Sequence, residues 1–189
     1  MINRNKRVIA LVGMAGAGKT EAINFLQENY YLPKVYFGEI TFEELERRGM
    51  ALNYENEKTV REDLRKKHGM GAYAELSLSK IENYLEDTNI VLVESLYSWD
   101  EYKIMKKNYG DNFIIIAVNA SPETRFKRLQ KRDHRPVQDK EEFIKRDWSE
   151  IEGTQKGGPI AIADYTIINE ESKQELVDKL TEIATKEQF

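Results

Sequence analysis

Gly13-Met14-Ala15-Gly16-Ala17-Gly18-Lys19-Thr20 decides how this chain is read. The stretch fits the pattern G-x-x-x-x-G-K-[ST], a loop that wraps phosphate groups. A triphosphate concentrates several negative charges in a small volume. Gly13, Gly16 and Gly18 let the backbone bend tightly and turn successive N–H groups inward, because glycine accepts positive φ. The helix that follows adds the positive end of its dipole. Lys19 supplies a point charge for the β- and γ-phosphates, and the Thr20 hydroxyl suits Mg2+. The residues expected to hold the nucleotide are therefore Gly13, Ala15, Gly16, Ala17, Gly18, Lys19, Thr20 and Glu21.

Outward from the loop, the apolar run Arg7 to Val12 predicts a buried parallel strand. After it, Ala22, Ile23, Phe25 and Leu26 fall at helical spacing. Elements then alternate. Strands are predicted over 35–37, 90–93, 113–118 and 165–168. Helices are predicted over 42–48, 56–67, 72–86, 99–108 and 141–152, with Gly49 and Gly69 as stops. Ser121 and Pro122 open a further helix as N-cap and first-turn residue. The last helix carries Leu176, Leu180, Ile183 and Ala184 on one face. Short apolar strands separated by helices predict an α/β fold with a parallel sheet covered on both sides. Ligands then bind at the carboxyl ends of the strands, where the loop sits. With no repeat, low-complexity tract or linker, residues 1–189 read as one domain.

Composition narrows the class. The chain has 189 residues, a third of them charged and 40% apolar, which suits a folded, soluble domain with a full core. A formal charge of −4 argues against a general binder of nucleic acid or anionic membrane. The absence of cysteine excludes disulfides and thiol catalysis and fits a cytoplasmic enzyme. No apolar run approaches the roughly 20 residues of a membrane span. Arg4, Lys6 and Arg7 before an apolar run imitate a signal peptide, but the phosphate loop accounts for that run better.

Several other residues invite a chemical role. Glu94 ends the third strand after Val91-Leu92-Val93, where a carboxylate reaches Mg2+. Glu39 follows the second strand, where it would face the acceptor and take a proton from an attacking hydroxyl, or simply favour a helix N-terminus. Arg125, Arg128, Arg132 and Arg135 step by three, four and three along one predicted helix face. Such a row, ending in a polar segment, would form a lid that brings cations to a transferring phosphoryl group. Arg146 is a second lid cation by the same argument. His68 and His134 have no ligand-spaced partner and read as surface residues, and Trp99 and Trp148 as packing residues.

Taken together, the chain resembles the adenylate kinase-like and dephospho-CoA kinase-like P-loop kinases, and above all an adenylate kinase-related family common in archaea. The likeness is carried by Val8-Ile9-Ala10-Leu11-Val12 with the loop, Phe37-Gly38-Glu39, Leu64-Arg65, Ala120 to Phe126 with Arg128, Leu129 and Arg132, and Ala161 to Asn169. It implies a strand order of 2-3-1-4-5, an acceptor-binding helical region near 38–87 and a lid near 133–146. By the same resemblance, Arg128 lies against the adenine, Arg132 meets phosphate, and the backbone after Asn169 lines the adenine site. Two departures stand out. Phe42 and Tyr97 occupy places where the related kinases carry arginines that hold an acceptor phosphate. Arg61 and Arg65 would compensate from the neighbouring helix, or the acceptor offers a hydroxyl.

The expected activity is therefore an ATP- and Mg2+-dependent phosphotransferase. Lys19, Arg128, Arg132 and Glu39 are its catalytic candidates, Thr20 and Glu94 its metal ligands, and Glu39, Arg65 and Tyr97 its acceptor site. A nucleoside monophosphate is the leading acceptor and dephospho-CoA the alternative. A P-loop ATPase or switch is the reading from another class; no N-K-x-D or D-x-x-G stretch supports a GTPase. An end kinase for nucleic acid fits poorly with the acidic balance. No membrane partner is expected, and the protein would act as a monomer or small homo-oligomer.

Overall fold

The computed structural model describes residues 6–133 and 135–189. Arg4 and His134 lie outside the described residues. Strands β1 (Arg7–Val12), β2 (Lys34–Tyr36), β3 (Ile90–Glu94), β4 (Phe113–Asn119) and β5 (Tyr165–Ile168) form a parallel sheet in the order β2-β3-β1-β4-β5. Helix α1 (Lys19–Tyr30) leaves the loop after β1. Helices α2 (Glu39–Arg47), α3 (Tyr54–His68) and α4 (Ala72–Asp87) lie between β2 and β3. Helix α5 (Trp99–Tyr109) and a 3-10 turn (Gly110–Asn112) lead into β4. Then follow α6 (Pro122–Gln130), α7 (Lys140–Trp148), a π-helical turn (Ser149–Gly153) and α8 (Gly157–Ala161). Helix α9 (Lys173–Lys186) closes the chain.

β1 is the middle strand, and from Val8 onward every residue is buried. A parallel strand with helices on both faces has no side to leave wet, so it reads as an unbroken apolar run. The two-residue period divides it. Val8, Ala10 and Val12 join Val91, Val93, Ile115 and Ala117 on one face, under Ile40, Val60, Ile81, Leu85 and Met105 from α2 to α5. Ile9 and Leu11 join Leu92, Ile114 and Ile116 on the other, under Ile23 and Leu26 of α1 and Leu176, Leu180 and Ile183 of α9. Each such aliphatic side chain contributes roughly 1.5–3 kcal/mol on burial. All the helices between β2 and β3 thus sit on one face and can wall a ligand site at the strand ends. The register Leu11↔Glu94 and Val12↔Ala117 brings Glu94 beside the mouth of the loop.

Several boundaries differ from the sequence reading. β2 begins and ends one residue earlier than expected, at Lys34 and Tyr36; Phe37 still donates its N–H to the Glu94 carbonyl, and its ring is buried. Helix α2 opens at Glu39, three residues before the expected start. The helix expected over 141–152 stops at Trp148 and loosens into the π turn. Helix α8 was not foreseen, because Gly157-Gly158-Pro159 has poor helix propensity. Ser121 and Pro122 do cap α6, with the Ser121 Oγ accepting from the Thr124 N–H. Among the described residues no helix is long and apolar enough to cross a membrane. His68 keeps a surface position on α3, with its Nδ1 3.5 Å from a Glu75 carboxylate oxygen.

Candidate active site

The loop is built as its glycines require. Gly13 has φ 145°, and a Cβ there would stand 2.2 Å from the Val118 carbonyl oxygen. Gly18 has φ 106°, and a Cβ there would stand 2.2 Å from the Asn169 Nδ2. That close approach has a purpose: the Asn169 amide donates to the Ala17 carbonyl at 2.8 Å and ties the loop to the end of β5. The Asn169 carbonyl in turn accepts from Arg128 Nη1 at 2.9 Å. Lys19 folds back over the loop, donating to the carbonyls of Gly13 at 2.7 Å and Met14 at 3.0 Å. Burial, reinforced by nearby Lys156, pushes the Lys19 ammonium down to about 7.

Around the loop lies a cavity of about 490 Å³. Ala15, Gly16, Gly18, Lys19, Thr20 and Glu21 form its floor. Glu94, Ser95 and Tyr97 line it as well, together with Arg128, Arg132, Arg146, Glu150 and Lys156. Thr20 and Glu94 both face this space, and Lys34 pairs with Glu94 at 2.7 Å. Among the described residues there is no cluster of three or more His, Cys, Asp or Glu that would cage a metal. A hydroxyl plus one carboxylate suits Mg2+, which keeps several waters and takes its other ligands from phosphate.

A second cavity, of about 510 Å³, adjoins the first and shares Ser95 and Tyr97 with it. Tyr36 and Phe42 give it an aromatic side, their ring centroids 6.4 Å apart. Arg61, Arg65 and Arg135 give it a cationic one. Arg61 pairs with Glu57 at 2.9 Å, and Arg135 lies 3.6 Å from the same carboxylate. The Arg65 Nε is buried and has no hydrogen-bond partner among the described residues, while its guanidinium lies 5.8 Å from the Tyr73 ring centroid. The partition between the cavities is strained and tightly held. Ser95 has φ 71°, and its hydroxyl bonds to the Tyr97 hydroxyl at 2.9 Å. Beneath it, the buried Glu101 carboxylate accepts from the N–H groups of Tyr97 at 2.6 Å and Ser98 at 2.9 Å. Burial pushes Glu101 up to about 7. A larger surface hollow, about 850 Å³, borders Glu44, Arg47, Arg48 and Asp63, which pair with one another; it shares no lining residue with either cavity.

Two expectations need correction. Glu39 does not line the second cavity. As the first residue of α2 it turns to the other side, where its carboxylate pairs with Lys80 of α4 at 3.1 Å and borders a separate hollow with Lys34 and Tyr84. The arginine row also divides. Helix α6 ends at Gln130, so Arg132 and Arg135 do not continue its face. Arg128 and Arg132 line the loop cavity and Arg135 the second one. Arg125 faces neither: it is 5% exposed and paired to Asp147 of α7 at 2.6 Å. Asn169 spends its side-chain amide on the Ala17 carbonyl and lines neither cavity.

Glu150, Lys156, Asp147 and Glu101 escaped the sequence reading. Glu150 accepts from the Ala15 N–H across 135 positions of chain. No local pattern marks such a residue; only the glycines at 153, 157 and 158 hint at an unusual path nearby.

Known proteins share this fold. A family profile described as an AAA domain, AAA_18, matches residues 9–149. A shikimate kinase from Bacteroides thetaiotaomicron superposes with a TM-score of 0.59 at 16% identity, covering 97% of this chain and 99% of that one. A shikimate kinase from Acinetobacter baumannii, solved with shikimate, gives 0.56 at 16% identity, covering 96% and 94%. At such identity the likeness speaks for the fold, a P-loop kinase fold. Sequence relatives are nearer. A UPF0200 protein from Thermococcus onnurineus is 34% identical over 182 residues, covering 95% of this chain and 97% of its own. A UPF0200 protein from Hyperthermus butylicus is 37% identical over 177 residues, covering 93% and 91%. Matched over nearly its whole length by these relatives, the chain belongs to the UPF0200 family, and its residues 9–149 fit the AAA_18 domain.

Proposed function

We propose that the protein is an ATP- and Mg2+-dependent kinase for a small nucleotide-like acceptor, with a nucleoside monophosphate as the acceptor that fits best. The observation that carries this reading is the pair of adjoining cavities. One is floored by a phosphate loop. The other combines aromatic rings with Arg65 and meets the first at Ser95 and Tyr97. A base can lie against Tyr36 and Phe42 while an acceptor phosphate takes Arg65, a charge-assisted contact.

In this reading the loop amides and Lys19 hold the triphosphate. Thr20 and Glu94 would hold Mg2+, which neutralises phosphate charge when bound. Arg128 and Arg132 line the same cavity and would meet the same phosphates. An oxygen of the acceptor phosphate attacks the γ-phosphorus, the bond to the β–γ bridging oxygen breaks, and ADP leaves. A phosphate nucleophile is already ionised at neutral pH, so the diversion of Glu39 to Lys80 leaves no proton transfer unserved. A hydroxyl acceptor such as dephospho-CoA is the second reading, favoured by Phe42 lining the cavity at a place where an arginine would hold phosphate.

The test is ATP consumption across a panel of nucleoside monophosphates, nucleosides and dephospho-CoA, with Lys19→Ala as blank. Acceptor-dependent ADP release with one nucleoside monophosphate is the expected result. Steady hydrolysis indifferent to every acceptor would overturn the kinase reading in favour of an ATPase.

A further inference from the structure

Glu150 occupies an amide of the phosphate loop. Helix α7 gives way to a π turn over Ser149–Gly153, a rare local winding that recurs at functional sites. The turn carries Glu150 back to the loop. Its Oε2 accepts from the Ala15 N–H at 3.1 Å and lies 2.8 Å from the Lys156 ammonium. Both side chains are largely enclosed, Glu150 at 15% and Lys156 at 8% exposure. Lys156 also sits 4.0 Å from the centroid of the Tyr97 ring, at the partition between the cavities. Arg146 approaches the other carboxylate oxygen at 3.7 Å. Burial works against ionisation of Glu150, yet Lys156, the Ala15 N–H and Lys19 outweigh it and hold the carboxyl below its usual range. Glu150 is thus an anion bound to a loop amide and flanked by cations.

A loop amide cannot serve a carboxylate and a phosphate oxygen at once, and two anions on adjacent sites repel strongly in so enclosed a space. A polyphosphate that takes up the Ala15 amide must therefore release Glu150 from it. Its release leaves Lys156 buried without its partner, beside the cavity that the phosphates enter.

We propose that Glu150 is a built-in phosphate surrogate: nucleotide binding exchanges its carboxylate for a phosphate oxygen and hands Lys156 over to the transferring phosphoryl group. The proposal rests on the kinase reading above for the identity of the nucleotide. Burial depresses the Lys156 ammonium and Glu150 opposes that; in the transfer the phosphoryl oxygens take over from Glu150 in holding its proton. The Lys156 charge faces the phosphoryl oxygens while the acceptor oxygen bonds to the γ-phosphorus and the β–γ bridging oxygen departs with the electron pair of its bond. Lys156 is then a catalytic cation, and Glu150 the group that holds it ready.

Calorimetry with inorganic tripolyphosphate and with Mg-ATP tests the exchange on the full chain. Glu150→Gln keeps size and a hydrogen-bond acceptor but removes the competing charge; it should bind tripolyphosphate about tenfold more tightly than the parent. Glu150→Ala, checked by circular dichroism, should do the same. Lys156→Met should lower kcat for acceptor-dependent ADP release roughly a hundredfold, with a smaller change in tripolyphosphate affinity. If the parent binds and Glu150→Gln binds no better, Glu150 is no competitor and the exchange is wrong while the kinase reading stands. If Lys156→Met weakens binding as much as kcat, or leaves kcat intact, the hand-over is wrong. If neither parent nor variant binds tripolyphosphate or Mg-ATP, the kinase reading falls and the exchange falls with it.

Discussion

Arg125 grips Asp147 through two parallel hydrogen bonds of 2.7 and 2.6 Å, and its Nη1 also donates to the Ala15 carbonyl at 3.3 Å. One enclosed guanidinium thus ties α6, α7 and the phosphate loop together. Removing one partner of such a pair strands a buried charge. Asp147→Ala should lower unfolding stability by about 3–5 kcal/mol in urea titration, whereas the volume-matched pair Arg125→Met with Asp147→Leu should recover most of that loss. Equal losses in the single and double variants would show that the charge pair is not the source.

Asn169 fixes the far side of the loop. Asn169→Ala strips the Ala17 carbonyl of its donor and should lower stability by about 1–2 kcal/mol. Gly18→Ala should be worse for binding than for folding, since its Cβ meets the Asn169 amide and its φ of 106° strains any L side chain. Calorimetry with tripolyphosphate should register a loss of at least about a hundredfold for Gly18→Ala, with the circular dichroism spectrum unchanged. Adding Asn169→Ala to it should not restore binding, because the backbone strain remains.

Glu101 makes stability depend on pH. Its carboxyl is raised in the folded protein, from 4.5 to about 7, by burial. Below about pH 4.5 it is protonated in both folded and unfolded chains and imposes no penalty. As pH rises towards 7 the unfolded chain releases its proton first, so stability falls, by at most roughly 3 kcal/mol, and then levels off. Glu101→Gln keeps an oxygen for the Tyr97 and Ser98 N–H groups but cannot ionise. Urea titrations at pH 5 and pH 8 should show a smaller difference for this variant than for the parent. An unchanged difference would assign the dependence to other groups.

Arg65 should serve the acceptor and not ATP. Arg65→Ala should raise KM for a nucleoside monophosphate about a hundredfold and leave Mg-ATP affinity within about twofold, and Arg65→Lys should rescue little of the loss. A KM unaffected by Arg65→Ala would point to the hydroxyl acceptor.

What could be read from the sequence was what is local. The loop glycines, the apolar runs of β1, β3 and β4, and the cap at Ser121-Pro122 each occupy a few consecutive residues and carry their own physics. The placement of Glu94 followed from the same logic, since a strand of known length delivers its last side chain to the sheet edge. Glu39 was misplaced because β2 ends one residue early, so α2 starts at Glu39 and rotates it towards Lys80. The arginine spacing predicts one helix face only as far as the helix lasts, and α6 stops at Gln130. Asp147, Glu150 and Lys156 take their roles from contacts with residues far away in the chain, and a π turn shifts the helical register just where Glu150 emerges. Periodicity cannot carry such information.

The central claim is that the amides of residues 13–20, with Lys19, grip a triphosphate. Isothermal titration of the full chain with Mg-ATP, set against Lys19→Ala, tests it most directly. The account predicts saturable binding at one site per chain, weakened at least about tenfold by Lys19→Ala. No binding of Mg-ATP or any other nucleoside triphosphate, or equal binding by Lys19→Ala, would contradict it.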